Sequence, residues 1–273
     1  MMEIQISGLY GEYYPGYKGT VFLVHGLLSS MGEFGDYPER INTKGYAVLA
    51  LDLEGHGKSG GKLGYESIEK NLRNIQTWID YLKKKEMLQR PLIIVGHSLG
   101  AATTVYALAA NIGDFGIAIA PPASIKKELK SHERVVLPII YALGTLWEKL
   151  SRKDFYIKYR VNYASIYNDP DIAKKAEEMG FLGDRLWIGS YPYLMSIDTI
   201  AQARRVTKPC LVIVPEKDKV VNPQNGREVY EALSGEKELY IARGYGHSVM
   251  LEDRGDVIKE IIKFMEKYTP ESQ

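Results

Sequence analysis

One cysteine in 273 residues, Cys210, excludes an internal disulfide framework. It heads the apolar run "CLVIV", the setting of a small buried hydrophobe rather than of a reactive thiol. An excess of one charge is missing too. The 35 Lys and Arg nearly balance 34 Asp and Glu, for a net charge of +1, which leaves no basic footprint for a nucleic-acid partner. No apolar run reaches the roughly 18 residues of a spanning helix. The opening "MMEIQISGLYGEYYPGYKG" is too polar for a secretory signal, and the cytoplasm is the expected location. Internal repeats, low-complexity segments, metal-ligand clusters, a P-loop and a dinucleotide fingerprint are all lacking, so neither a cofactor nor a metal is expected.

What is present is ordinary soluble material, 45% hydrophobic and 25% charged, long enough for one large α/β domain or a core with an inserted subdomain. Six β-type runs stand out: "TVFLVHG", "YAVLALD", "PLIIV", "FGIAIAPP", "PCLVIVP" and "KELYIA". Between them, Ile68, Leu72, Ile75, Ile79 and Leu82 recur at helical spacing, a small-residue helix is expected over 99–112, and "DVIKEIIKFMEKY" closes the chain as a helix. That alternation predicts a mostly parallel sheet with helices on both faces. It stops between Pro121 and about Arg205, where several short helices with no strand among them are expected as a cap over the sheet's carboxyl edge. The expected division is a core of 1–120 and 206–273 with a helical cap, or lid, over 121–205. Only the final "TPESQ" reads as loose.

In "LIIVGHSLGAA" a buried strand runs straight into Gly96-His97-Ser98-Leu99-Gly100, a G-x-S-x-G pattern. A turn from strand to helix this sharp strains the backbone at the serine and crowds the positions two before and two after it. The hydroxyl of Ser98 is thereby lifted clear of the sheet, and the Leu99 N–H is left at a helix N-terminus.

A serine hydroxyl needs a general base. Of the five histidines, His97 points away as the serine's neighbour, His25 and His56 lie in early loops and His132 in the cap. His247, in the glycine-loosened "ARGYGHSVMLED" after the last strand run, is the candidate base. Asp218 in "LVIVPEKDKVV" is the candidate orienting carboxylate, with Glu216 its main competitor and Asp52 and Asp198 less well placed. The order Ser98, Asp218, His247 is the one expected for this sheet topology. Leu99 and, from "LVHGLLSS", Leu27 are the expected backbone donors to an oxyanion.

Together His25-Gly26, the stretch "DLEGHGKS" from Asp52 to Ser59, Gly96 to Gly100, Asp218 and Gly246-His247 resemble the α/β-hydrolase superfamily, and most nearly its monoacylglycerol lipase and lysophospholipase-like, serine aminopeptidase-type branch. "YNDP", Tyr167 to Pro170, resembles that branch as well. One departure is Pro215, where the family usually has a glycine three residues before the acid. The resemblance implies an α/β-hydrolase fold and a serine carboxylic-ester hydrolase that cleaves a single acyl chain. Within the fold the alternatives are a short-chain carboxylesterase, a thioesterase or an aminopeptidase; outside enzymes, a catalytically inactive binding relative. Substrate choice should lie in the cap, where "VVLPIIYALGTLW" offers Ile139, Leu143, Leu146 and Trp147 as an apolar wall for a lipid-like ester. The same surface could dip transiently into a membrane interface.

Overall fold

The computed structural model describes residues 1–270; residues 271–273, most of the tail read as loose, lie outside the described residues. The six apolar runs form strands, and two further strands precede them: β1 (Met2–Ile6), β2 (Leu9–Tyr14), β3 (Thr20–Val24), β4 (Ala47–Asp52), β5 (Leu92–His97) and β6 (Phe115–Ile119). A short pair in the segment between Pro121 and Arg205 follows, β7 (Tyr156–Lys158) and β8 (Arg185–Trp187), and then β9 (Cys210–Pro215) and β10 (Lys237–Ala242). Eight of them make one sheet in the order β1-β2-β4-β3-β5-β6-β9-β10. The β1–β2 and β2–β4 pairs are antiparallel; every other pair in it is parallel. The β1–β2 hairpin turns on Ser7 and Gly8, both at positive φ, the backbone of a type I′ turn.

The parallel strands read as unbroken apolar runs because both faces are covered. On one face Leu23, Val48, Ile93 and Ile117 pack with Ile261, Phe264 and Met265 of the Asp256–Tyr268 helix. On the other, Phe22, Leu49 and Ile94 meet Ile75, Trp78 and Leu82 of the Ile68–Lys84 helix. That helix is begun by Ser67, whose side chain accepts from the Lys70 N–H. Farther along, Ala118, Val212 and Val214 pack with Ala101, Val105 and Leu108 of the Leu99–Ala109 helix.

The segment between Pro121 and Arg205 departs from the expectation of short helices without strands. Its main helix, Ser131–Ser151, has 21 residues, and β7 and β8 pair antiparallel. Two three-residue strands far apart in sequence carry too little periodicity to be read locally. Gly144 is the buried point of the long helix, packed against Phe155 and Ile188. Pro138 lies inside it, at an exposed position where water can serve the Arg134 carbonyl that proline leaves unpaired.

Sheet order decides where chemistry can gather. β3 and β5 are neighbours in register, Val24 opposite Gly96, so the loops after them emerge side by side at the carboxyl edge. β9 and β10 deliver their following loops to the same edge.

Candidate active site

Ser98 sits between β5 and the Leu99–Ala109 helix at φ 54° and ψ −116°, a conformation that side chains disfavour. The flanking glycines are steric requirements: a Cβ on Gly96 would overlap the Gly100 carbonyl, and one on Gly100 would overlap the Val24 carbonyl. Gly26 packs so closely that its own Cβ would lie 3.1 Å from Ser98 Cβ. The start of the loop after β3 therefore lies directly against the serine.

Asp218 Oδ2 accepts from His247 Nδ1 at 2.7 Å, and its Oδ1 accepts the Val220 and Val221 N–H groups at 2.8 and 2.9 Å. The side chains are 1% and 6% exposed, so water competes little for this contact. Glu216, the competing carboxylate, is turned away to the Gly244 N–H at 3.1 Å. His247 Nε2 has no hydrogen-bond partner among the described residues, Ser98 Oγ included. Such a contact commonly tightens only when substrate is bound.

His97 faces away from the serine. Its Nδ1 stands 3.1 Å from Glu33 Oε1 and its Nε2 3.1 Å from the His247 carbonyl oxygen. Burial alone would push His97 down, but the Glu33 carboxylate and the His247 carbonyl more than offset it and hold it above the ordinary histidine value. Glu33 is the mirror case: burial raises it, the His97 charge and hydrogen bond outweigh that, and it lies below the usual carboxylate range.

The "DLEGHGKS" stretch is structural scaffolding at the same edge. Asp52 accepts the Met31 and Lys58 N–H groups at 2.8 and 2.7 Å, and Ser59 donates to the Asp52 carbonyl at 2.7 Å. Gly57, at φ 51°, leaves room for the Asp52 carboxylate that a Cβ would displace. His56 Nε2 stands 2.9 Å from Glu66 Oε1, an ion-pair contact too bent for a good hydrogen bond. Burial lowers His56, but Glu66 outweighs it and the net direction is up; Glu66, raised by burial, is carried below its ordinary value by His56.

Leu27 and Leu99, the expected oxyanion donors, follow β3 and β5 and so stand on neighbouring loops. The four cap residues are elsewhere. Ile139, Leu143, Leu146 and Trp147 are 52–63% exposed on the outer side of the Ser131–Ser151 helix. Neither of two cavities, of 240 and 50 Å³, is lined by them or by Ser98. Cys210 is buried, and burial pushes its thiol up to about 12, which leaves it inert. Among the described residues no group of three His, Cys, Asp or Glu side chains could hold a metal, and no helix is long and apolar enough to cross a membrane.

Three buried or half-buried carboxylates at this edge carried no signal in the sequence: Glu33, Glu66 and Glu252. Each binds a backbone N–H away from its own position: Glu33 that of Gly26, Glu66 that of Leu28 and Glu252 that of Gly246. No motif marks such a partner, because any loop glutamate has the same local pattern.

A mostly parallel sheet with a strained serine turn and a buried Asp–His pair at its carboxyl edge defines an α/β-hydrolase. The model of the family described as Hydrolase_4, serine aminopeptidase S33, matches residues 15–254, and the chain belongs to that family. Monoacylglycerol lipase of Mycolicibacterium smegmatis is 26% identical over 243 residues, 86% of this chain and 83% of that protein. An uncharacterised Escherichia coli protein, YnbC, is 26% identical over 254 residues, and there the match spans 88% of this chain but 40% of the relative. Among solved structures, the monoacylglycerol lipase of Paleococcus ferrophilus superposes with a TM-score of 0.78 at 23% identity, covering 96% of this chain and 99% of that one, a likeness of fold.

Proposed function

We propose that this hydrolase is a serine carboxylic-ester hydrolase that cleaves single-acyl lipids, monoacylglycerols or lysophospholipids, through an acyl-enzyme on Ser98. The observation that carries the reading is the buried 2.7 Å contact between Asp218 and His247 on the edge where Ser98 projects. In this mechanism Ser98 Oγ attacks the ester carbonyl and His247 Nε2 takes its proton. Asp218 fixes the tautomer and stabilises the imidazolium. The oxyanion lies against the Leu27 and Leu99 N–H groups. His247 then returns the proton to the departing alcohol, and a water, deprotonated in turn by His247, releases the fatty acid from Ser98.

Monoacylglycerol lipases among the relatives support the lipid substrate. The aminopeptidase alternative needs a free carboxylate in the cap to hold a substrate amine. Four acidic residues of that segment are already engaged: Glu128 by Asn222 and Asn225, Glu133 by the Lys130 N–H, Glu148 by Trp187 and Phe155, and Asp154 by Lys62. The exposed apolar side of the Ser131–Ser151 helix, flanked by Lys126, Lys127, Lys130, Arg152 and Lys153, suits transient contact with a lipid surface.

The test is hydrolysis of p-nitrophenyl esters from two to sixteen carbons, with Ser98→Ala as control, followed by monoacylglycerol and lysophospholipid. A Ser98-dependent optimum at medium or long chains is expected. Activity confined to the shortest esters would replace the lipase reading with a small-ester esterase. No Ser98-dependent turnover, with no fluorophosphonate labelling of Ser98, would leave a binding relative.

A further inference from the structure

A backbone oxyanion hole works through the N–H groups that the fold leaves unpaired. In the loop after β3 the pairing is selective. Gly26 N–H donates to Glu33 Oε1 at 3.0 Å and Leu28 N–H to Glu66 Oε1 at 2.7 Å. Leu27 N–H, between them, has no acceptor among the described residues. Leu28 is itself held at φ 54°, a conformation leucine disfavours, with its carbonyl taken by the Gly183 N–H at 2.6 Å. The loop is thus gripped on both sides of one free donor.

Each gripping carboxylate is fully buried and matched by a buried imidazole, Glu33 by His97 and Glu66 by His56. Both nitrogens of each imidazole face acceptors. For His97 these are Glu33 and the His247 carbonyl, both hydrogen-bonded; for His56 they are the Glu54 carbonyl at 3.2 Å and Glu66 Oε1 at 2.9 Å, the latter an ion-pair contact and not an aligned hydrogen bond. A neutral imidazole has one N–H, so only the cation serves both acceptors. His25 differs: its Nε2 accepts from Leu53 N–H at 3.0 Å, which leaves Nδ1 to donate to the Gly26 carbonyl and makes it neutral. Two ion pairs therefore stand under the loop, one on each side of Leu27.

We propose that Glu33–His97 and Glu66–His56 are positioning pairs that fix the oxyanion loop, each carboxylate occupying one N–H beside Leu27 so that, of this loop, only the Leu27 N–H is presented to the substrate oxygen, opposite that of Leu99. They act through the backbone and touch no substrate. Glu33–His97 does a second task, since His97 also holds the carbonyl of the general base His247. The proposal rests on the serine-hydrolase reading above.

Glu33→Ala, Glu66→Ala and the corresponding Gln variants test it, because Gln keeps an acceptor for the backbone N–H. The readouts are kcat and KM on p-nitrophenyl butyrate, and affinity for a trifluoromethyl ketone, which forms a tetrahedral oxyanion adduct, against affinity for the product alcohol. Loss of a whole oxyanion donor costs about 10²–10³ in rate, and a displaced donor should lose roughly tenfold or more. The Ala variants should lose kcat and ketone affinity by a common factor, with KM and alcohol affinity within about twofold, and Gln should recover much of the loss. Equal losses of ketone and alcohol affinity, or unchanged kcat in folded variants, would overturn the proposal.

Amide exchange in the unmutated protein answers the same question where a variant does not fold. Gly26 and Leu28 should be protected and Leu27 exposed until the ketone binds; a protected Leu27 in the free protein would overturn the assignment. Absence of Ser98-dependent turnover in the unmutated protein would instead remove the hydrolase reading and this role together.

Discussion

Glu252 accepts the Gly246 N–H through one carboxylate oxygen at 2.7 Å while its other oxygen holds the segment inserted between β6 and β9. That second oxygen takes the N–H groups of Asn168 and Asp169 at 2.5 and 2.7 Å. The loop carrying His247 and the segment "YNDP" therefore share one side chain, and Asn168 adds a bond to the Gly244 carbonyl at 3.0 Å. Hydrogen bonds to a charged group are worth about 1.5–3 kcal/mol each when well formed. Glu252→Ala should lower Tm by several degrees and reduce kcat/KM about tenfold, with KM rising as the cap loosens. Glu252→Gln should be milder. Unchanged KM in both would mean that the cap is held without this side chain.

Asp218 and Glu216 can be separated by the same pair of measurements. If Asp218 orients His247, Asp218→Asn should cost on the order of 10⁴ in kcat with little change in KM. Glu216→Gln, which touches only the Gly244 N–H, should stay within about threefold. The reverse result would reassign the acid to Glu216.

Strain at Ser98 has its own signature. A non-glycine residue at φ 54° and ψ −116° stores on the order of 1–3 kcal/mol, which glycine would release, less the 0.5–1 kcal/mol of extra unfolded-chain entropy glycine brings. Ser98→Gly and Ser98→Ala both lack the hydroxyl and should both be inactive. Ser98→Gly should nevertheless be the more stable by about 1 kcal/mol, or about 2–4 °C in Tm. Equal melting temperatures would place the turn outside the strained region in solution.

Stability should depend on pH through the two ion pairs, in a direction the shifts determine. His97 and His56 lie above the ordinary histidine value of 6.5 in the folded chain. Their contribution is complete below 6.5 and is lost as pH rises through their folded values. Glu33 and Glu66 lie below the ordinary 4.5, so theirs is complete above 4.5 and is lost as pH falls through the folded values. His25, lowered first by burial and then by the His56 charge, has the opposite sign from the other histidines. A difference between two proteins that both keep His25 cancels it. The stability gap between the unmutated protein and His97→Gln, from urea unfolding, should be widest between the ordinary values of 4.5 and 6.5 and narrow as pH rises through the folded value of His97. A gap independent of pH would mean that His97 is uncharged.

The cap helix makes a prediction of a different kind. Leu143 and Leu146 are 63% and 52% exposed and touch neither cavity. Leu143→Glu with Leu146→Glu should leave p-nitrophenyl butyrate hydrolysis within about twofold. Sedimentation with vesicles containing anionic lipid should fall several-fold, together with activity on monoacylglycerol presented in them. Retained vesicle binding would point these residues to another role.

The sequence revealed much of this, and the limits are physical. Gly96, Ser98 and Gly100 were legible because the constraint is local: a backbone carbonyl sits where a Cβ would be. Asp218 and His247 followed from strand ends, since a parallel sheet delivers its loops to one edge. The β1–β2 hairpin has only Ser7-Gly8 to mark it in the sequence, because β1 is mostly exposed and lacks an apolar signature. β7 and β8 escaped because their pairing is non-local. Glu33 and Glu66 leave no trace in the sequence for a related reason: what they bind is a backbone N–H, and backbone has no residue type to read.

His97 has one more consequence, for descent and for engineering. The variable position of the G-x-S-x-G pattern is not free here, because His97 holds the Glu33 carboxylate on one side and the His247 carbonyl on the other. Removing one partner of a buried ion pair leaves a lone charge and costs about 3–5 kcal/mol, whereas replacing both by well-packed apolar groups is often neutral. Positions 33 and 97 should therefore pass together through any lineage, and a library randomising either alone should return little beyond the parental residue and its closest hydrogen-bonding substitute. Variety at this site opens only to paired changes.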